Sequence, residues 1–125
     1  MLWLTVALGG ALGALARFAI AQAWPVKAGS FPFATFTANV LGSFVAGVLF
    51  VIIVEKAILS EQWRPLLMVG FLGALTTFST FSLESVVLLR EDSMPLALGY
   101  MASTLVCCIA ACFVGVSLTT RIIQV

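Results

Sequence analysis

Histidine is absent from this 125-residue sequence, and only 9% of its residues are charged. Histidine and buried lysine supply much of the acid–base and metal chemistry of proteins, and no lysine lies within an apolar stretch of the chain. The three cysteines, Cys107, Cys108 and Cys112, form no Cys-x-x-Cys pair and are best explained as small packing residues. We therefore expect no enzyme, and the net charge of +1 gives no reason to expect a nucleic-acid partner.

Apolar residues dominate instead. They make up 62% of the chain, and the mean hydropathy of +1.21 predicts an integral membrane protein. A spanning helix needs roughly 20 mostly apolar residues, and four such stretches occur, at about residues 2–23, 33–54, 65–89 and 95–120. The first has no basic leader and is too long for the core of a signal peptide. The sequence thus predicts one all-α membrane domain with four spans.

The loops between these stretches show no charge asymmetry. Four spans place both termini and the middle loop on one side of the membrane. Lys56, Arg64 and Arg121 lie on that side, and Arg17, Lys27 and Arg90 lie on the other, so the six basic residues divide three and three. Because Lys and Arg asymmetry sets orientation, the chain is predicted to insert both ways and to pair with an inverted copy. A chance tie is the alternative explanation.

The third stretch contains a run of hydroxyl residues between Gly70 and Ser82. Isolated hydroxyls in lipid can bond to the carbonyl one turn earlier, but five within seven positions, following Gly70 and Gly73, exceed what that explanation needs. Irregular backbone survives at membrane depth only where protein or a cavity surrounds it. We predict a break in this helix, whose freed N–H groups can hold an anion and whose freed carbonyls can hold a cation.

Phe78 and Phe81 lie three residues apart in the same run, and so on one helical face. The positive edge of an aromatic ring can steady a small anion without trapping it, as conduction requires. Packing in lipid is the alternative. Glu84 is the one carboxylate well inside a predicted span, which makes it a functional candidate, although it could equally cap or pair near the interface.

The first two spans carry further candidates. Gly9 and Gly13 have the Gly-x-x-x-Gly spacing that lets helices approach closely. Arg17, one turn later, either extends to the interface or ties helix ends together. In the second span Asn39 and Ser43 share a face, and a buried amide needs a partner. Asn39 either cross-links two helices or donates to a passing anion.

The fourth span has small and mildly polar residues at spacings of three and four. Tight helix packing explains this stripe, or else its hydroxyls line a route to the site. The stripe comprises Tyr100, Ser103, Thr104, Cys107, Cys108, Ala111, Cys112 and Gly115.

Three blocks of the sequence resemble the small fluoride channels of the Fluc/CrcB family, and the resemblance covers essentially the full chain. The blocks are GGALGALAR at 9–17, FTANVLGSFVAG at 36–47 and GFLGALTTFSTFSLE at 70–84. Two positions depart from the family pattern, because Ala34 replaces the glycine of Pro-x-Gly-Thr and Ala74 replaces the second glycine of a Gly-Gly pair. Alanine keeps the chain slim, so the predicted break is expected to survive.

The resemblance implies a multi-pass protein of the bacterial plasma (inner) membrane that exports fluoride passively and relieves fluoride toxicity. It implies an antiparallel, dual-topology homodimer in the lipid bilayer, with two fluoride pores at the dimer interface and a structural sodium ion at its centre. The sodium ligands map onto the backbone carbonyls of Gly73 and Thr76. The pore residues map onto Asn39, Phe78, Phe81, Ser79, Thr80 and the fourth-span hydroxyls Tyr100, Ser103 and Thr104, while Gly9, Gly13, Arg17, Ser43 and Glu84 are assigned structural and packing roles.

Two other classes share part of this pattern. Proton-coupled small multidrug exporters have the same length and span number but need a carboxylate in the first span, where this chain has Arg17 and no acid. Glu84 lies near the end of the third span, where it cannot easily replace that carboxylate. A non-transporting assembly subunit would use the face formed by Gly9 and Gly13, but that role does not explain the hydroxyl run.

Overall fold

The computed structural model describes residues 1–123, and all regular structure in that range is helical. The α-helices are α1 (Leu2–Ala23), α2 (Phe33–Leu49), α3 (Gly73–Leu75), α4 (Phe78–Arg90) and α5 (Met94–Ile123). A π-helical segment, Phe50–Glu55, continues α2, and a second one, Pro65–Leu72, leads into α3 after a 3-10 turn at Glu61–Trp63.

These elements form four helical stretches that are long and apolar enough to cross a membrane. Their bounds are Leu2–Ala23, Phe33–Glu55, Glu61–Arg90 and Met94–Ile123. The 22 residues of α1 extend about 33 Å at 1.5 Å per residue, which matches a hydrocarbon core of about 30 Å. The chain therefore has the all-α architecture of a multi-pass membrane protein.

Prolines mark several boundaries of these helices. α1 ends at Ala23, and Trp24 leaves the helical region with φ −129° and ψ 76° because it precedes Pro25, whose ring disfavours that region. Pro32 lies immediately before α2. The third stretch begins at Glu61, ahead of the predicted residue 65, because a short 3-10 turn precedes Pro65. Pro65 itself is tolerated because the first helical position needs no N–H donor.

α1 packs directly against the backbone of the second π-helical segment, Pro65–Leu72. A Cβ atom placed on Gly9 would overlap the carbonyl oxygen of Leu66, and one placed on Gly13 would overlap the carbonyl oxygen of Phe71. Only a residue without a side chain permits this approach. The Gly-x-x-x-Gly face of α1 therefore holds the first half of the third stretch.

α2 and α5 form a second close pair. A Cβ on Gly47 would overlap the Cys112 carbonyl oxygen, and a Cβ on Gly115 would overlap the Phe44 carbonyl oxygen. Outside these contacts the helices expose large apolar side chains, as helices surrounded by lipid do. On α1 these include Leu4, Leu8, Leu12, Leu15 and Phe18.

The largest fully buried side chain belongs to Tyr100 of α5, which is 0% exposed. It lies in a cluster with Leu88 of α4 and Ala97 of α5, and Phe31, Phe36 and Phe81 pack against that cluster. The cluster joins α4 and α5 to the connection that precedes α2, and so it fixes the position of α4.

Substituting Gly9 with alanine is expected to destabilise the protein by about 1–3 kcal/mol, because the new methyl group must displace backbone. The measurement is thermal unfolding of the purified protein in detergent. Gly10→Ala is the matched control, since a Cβ at Gly10 meets no atom within 4 Å. Equal melting temperatures for the two variants would contradict the close packing of α1.

Candidate functional site

The third stretch changes direction at two consecutive threonines. α3 ends at Leu75, and both Thr76 (φ −83°, ψ 152°) and Thr77 (φ −151°, ψ 120°) have extended backbone before α4 begins at Phe78. Extended residues cannot continue the i to i−4 hydrogen-bond ladder. Backbone groups on both sides of the two threonines therefore need other partners.

Asn39 of α2 supplies two of those partners. Its Oδ1 accepts the N–H of Thr77 at 2.7 Å, and its Nδ2 donates to the carbonyl of Thr77 at 3.1 Å. Both atoms of Thr77 are buried, so each bond replaces one that water cannot make. Of the two interpretations of Asn39 open from the sequence, the structure shows the helix cross-link. The side-chain amide of Asn39 has two hydrogens, and only one of them is used in the bond to the Thr77 carbonyl.

The hydroxyls around the two threonines divide into two groups. Thr76 and Ser82 donate to the carbonyls one turn earlier, Leu72 and Phe78, each at 2.8 Å. The isolated-hydroxyl explanation is therefore correct for these two.

Thr77, Ser79 and Thr80 form the second group and bond to one another instead. The Thr77 hydroxyl donates to Thr80 Oγ1 at 3.1 Å, lies 3.2 Å from Ser79 Oγ, and accepts the Thr80 N–H at 3.2 Å. Thr77 thus caps the N-terminus of α4 with its side chain while its backbone is held by Asn39.

Two backbone carbonyls lose their helical donors through these bonds. In a continuous helix the Gly73 carbonyl would accept the N–H of Thr77, but that N–H donates to Asn39. The Thr76 carbonyl would accept the N–H of Thr80, but that N–H donates to the Thr77 hydroxyl. The carbonyls of Gly73 and Thr76, which the family resemblance gives as sodium ligands, are thus among those left without a helical donor at this point.

A cavity of about 650 Å³, which we call the groove, lies beside this region. α2, the two threonines, α4 and α5 all contribute to it. Phe78 is 79% exposed there, and its ring centroid lies 5.4 Å from that of Phe81. The polar side chains lining the groove are Asn39, Ser43, Thr76, Thr77, Thr104 and Cys108. None of its lining residues within the described range is charged.

Thr104 has an unusual position in the groove. It is 6% exposed, and its Oγ1 atom has no hydrogen-bond partner among residues 1–123. A buried hydroxyl without a partner is costly. Thr104 therefore has an unused hydrogen-bond donor, on a residue that lines the groove.

A second cavity, of about 410 Å³, lies on the other side of α4. Arg17 and Thr80 line it together with Thr35 and Glu84. Glu84 accepts hydrogen bonds from the Thr35 hydroxyl at 2.8 Å and from the Tyr100 hydroxyl at 2.7 Å. Within the described part of the chain, Arg17 is the only cation that lines either cavity.

The structure separates the residues that the sequence singled out. The groove contains Asn39, Ser43, Gly73, Thr76, Phe78, Phe81 and Thr104, and the second cavity contains Arg17, Thr80 and Glu84. The remaining ones line neither. Ser79 is exposed beside Thr77, Tyr100 lies in the core, Ser103 donates to the Tyr100 carbonyl at 3.2 Å, and Gly9 and Gly13 contact the second π-helical segment.

Sequence reasoning missed two residues that organise the site. Thr77 was only one member of the hydroxyl run, yet its N–H, carbonyl and hydroxyl all make site bonds. No role was predicted for Thr35, yet its hydroxyl donates a hydrogen bond to the carboxylate of Glu84. Its position four residues before Asn39, on the same helical face, was the available signal.

Comparisons with known proteins give a consistent result. A family model described as CrcB-like protein, Camphor Resistance (CrcB), matches residues 4–116. A protein of Saccharophagus degradans named fluoride-specific ion channel FluC is 51% identical over 123 residues, which cover 98% of this chain and 92% of the relative. A Hahella chejuensis protein of the same name is 48% identical, covering 94% of both chains. A third relative of that name, from Magnetococcus marinus, is 45% identical, and the match covers 88% of this chain and 90% of the relative.

Replacing Asn39 with leucine should leave the N–H and carbonyl of Thr77 unpaired, at a cost of about 1–3 kcal/mol for each buried group. The measurement is backbone hydrogen exchange of the detergent-purified protein, in which the Thr77 amide should exchange much faster. Ser43→Ala, one turn further along the same face, is the control and should leave that rate unchanged. Slow exchange in Asn39→Leu would mean that other groups hold Thr77.

Proposed function

Because this chain belongs to the CrcB family, we propose that it is a fluoride-specific ion channel that lets fluoride leave the cell passively and so relieves fluoride toxicity. Its relatives with 45–51% identity have that name. The observation that best supports the proposal is the groove, which combines hydrogen-bond donors and ring edges with no charged lining residue in the described range.

Fluoride holds its water strongly, so a pore must replace that water with several donors. The unpartnered Thr104 hydroxyl is one, and the second amide hydrogen of Asn39 is another. The positive edges of the Phe78 and Phe81 rings add weaker attraction. Neutral partners of this kind bind an anion loosely enough for it to leave, whereas a buried lysine or arginine would hold it.

The second cavity is suited to be the entrance to this path. Arg17 raises the local concentration of anions there without lining the groove. Thr80 and Phe81 are adjacent in α4 and line the second cavity and the groove respectively, so only this turn of the helix separates the two cavities. Glu84 lines the same cavity, and its carboxylate accepts hydrogen bonds from the hydroxyls of Thr35 and Tyr100.

The proposal extends to the break in the third span and to a structural sodium ion. In this proposal the extended Thr76 and Thr77 are the break, and they lie near the middle of the Glu61–Arg90 stretch. Sodium prefers hard oxygen ligands, and the diverted donors leave the carbonyls of Gly73 and Thr76 available beside the groove. The residues present therefore fit the ion. Two carbonyls are too few to coordinate it alone, so a second copy would supply the rest.

An antiparallel homodimer in the bacterial inner membrane completes the proposal. Phe78 is 79% exposed at the edge of the groove in a single chain, where a second copy would cover it. The equal division of basic residues favours both insertion orientations. A two-fold axis in the membrane plane would then relate two grooves, one from each copy. It would also bring the Gly73 and Thr76 carbonyls of both copies to one shared site.

The two other classes find less support in this geometry. Glu84 is held by two hydroxyls in the middle of α4, rather than in the first span where a drug exporter needs its proton carrier. A scaffold subunit has no use for the unpartnered Thr104 hydroxyl.

Fluoride efflux from liposomes tests the function. Purified protein should release fluoride, measured with a fluoride electrode, and should release little chloride. Phe78→Ile should slow the efflux at least about tenfold, as loss of roughly 1.4 kcal/mol of stabilisation would. Phe113→Ile, which alters a 71% exposed ring on α5, is the control and should conduct normally. Equal chloride and fluoride release, or neither, would overturn the proposal.

The dimer and its ion are tested with orientation-locked variants. Lys27→Gln with Arg90→Gln leaves three basic residues against one, and Lys56→Gln with Arg64→Gln biases insertion the opposite way. With different tags, the two variants should co-purify and conduct together, while neither conducts alone. Replacing sodium with N-methylglucamine should dissociate the pair.

The antiparallel dimer and the structural sodium ion would fail this test in different ways. A locked variant that conducts by itself would exclude the antiparallel arrangement. A co-purified pair that persists without sodium would exclude the structural ion and leave the dimer intact.

A further inference from the structure

Phe31, in the connection between α1 and α2, has no part in the path described above. The residues before it, 24–29, are exposed, but Phe31 is half-buried. Its ring centroid lies 5.3 Å from that of Tyr100, with the two rings at 84°. This is the edge-to-face arrangement that aromatic pairs prefer.

Tyr100 links Phe31 to the groove. The ring of Tyr100 lies 5.2 Å from that of Phe81, and Phe81 lies 5.4 Å from Phe78. Four rings in series therefore connect the α1–α2 connection to the edge of the groove. Tyr100, the second of the four, is fully buried, so its orientation depends on the side chains around it.

The connection is fixed on both sides of Phe31. Upstream, the Gly29 N–H donates to Glu91 Oε2 at 2.9 Å, which ties this connection to the one between α4 and α5. The Ser30 hydroxyl also donates to the Lys27 carbonyl at 2.7 Å. Downstream, Pro32 is buried and its ring restricts φ. The backbone on either side of Phe31 is thus held by contacts that do not involve Tyr100.

We propose that Phe31 is a positioning residue for permeation, which sets the angle of Tyr100 and through it the ring of Phe81 and the carboxylate of Glu84. Tyr100 has two constraints: its hydroxyl donates to Glu84, and its ring meets the rings of Phe31 and Phe81. A leucine at position 31 would fill similar space but would not favour one ring angle. The effect on permeation rests on the proposed function, whereas the packing does not.

The chain contains a single tyrosine, which gives a direct test. Protein labelled with 3-fluorotyrosine has one ¹⁹F resonance, from position 100. Phe31→Leu should shift and broaden that resonance, because the ring current of Phe31 is lost and the Tyr100 ring gains freedom. Phe33→Leu is the matched control, since Phe33 lies 4.7 Å from Phe31 but is 58% exposed. It should leave the resonance in place.

Efflux is measured on the same labelled samples and normalised to folded dimer. Phe31→Leu should slow fluoride efflux about threefold to tenfold, the range expected when one edge-to-face contact is lost. Phe33→Leu should conduct normally, and Phe31→Trp should restore both the resonance and the rate. If Phe31→Leu yields no folded protein, Phe31→Met takes its place.

The outcomes distinguish the inference from the function on which it rests. A resonance that shifts without any change in efflux would overturn the positioning role and leave the channel function standing. An unchanged resonance would overturn the packing itself. Wild-type protein that conducts no fluoride would refute the proposed function and, with it, any role of Phe31 in permeation.

Discussion

The site depends on one pair of hydrogen bonds, between the Asn39 side chain and the backbone of Thr77. Extended backbone inside a membrane leaves polar groups that lipid cannot satisfy. Asn39 satisfies both groups of Thr77, and the Thr77 hydroxyl then caps α4. Because those bonds divert two N–H groups, the carbonyls of Gly73 and Thr76 are left available. The anchoring of α4 and the release of these two carbonyls are thus consequences of the same contact.

Close helix packing makes that contact possible. A Cβ on Gly42 of α2 would overlap the Thr76 methyl group, so α2 can bring Asn39 to the two threonines only because position 42 has no side chain. Gly9 and Gly13 place the second π-helical segment in the same way, against α1. The small residues therefore determine which backbone groups can meet, while the polar residues determine how those groups are satisfied.

The groove and the second cavity differ in the charge of the residues that line them. Arg17 and Glu84 lie in the second cavity, where Glu84 has two hydroxyl donors. The groove lining in the described range is uncharged, and it offers one buried hydroxyl, on Thr104, without a partner. The positive charge of Arg17 attracts an anion, and neutral donors alone bind it loosely enough for it to move on. Phe31, in the connection between α1 and α2, acts on this path through Tyr100.

The sequence by itself determined the four spans, the all-α architecture and the region of the site, because apolar length and hydroxyl density are local properties of the chain. It also led to Gly73 and Thr76, through family resemblance. Only the tertiary structure decided that Asn39 pairs with Thr77, that Ser103 bonds to its own helix, and that Tyr100 lies in the core beside Phe31. Those outcomes depend on which groups from different helices meet. Which partner a buried polar group finds is decided by packing rather than by spacing along the chain.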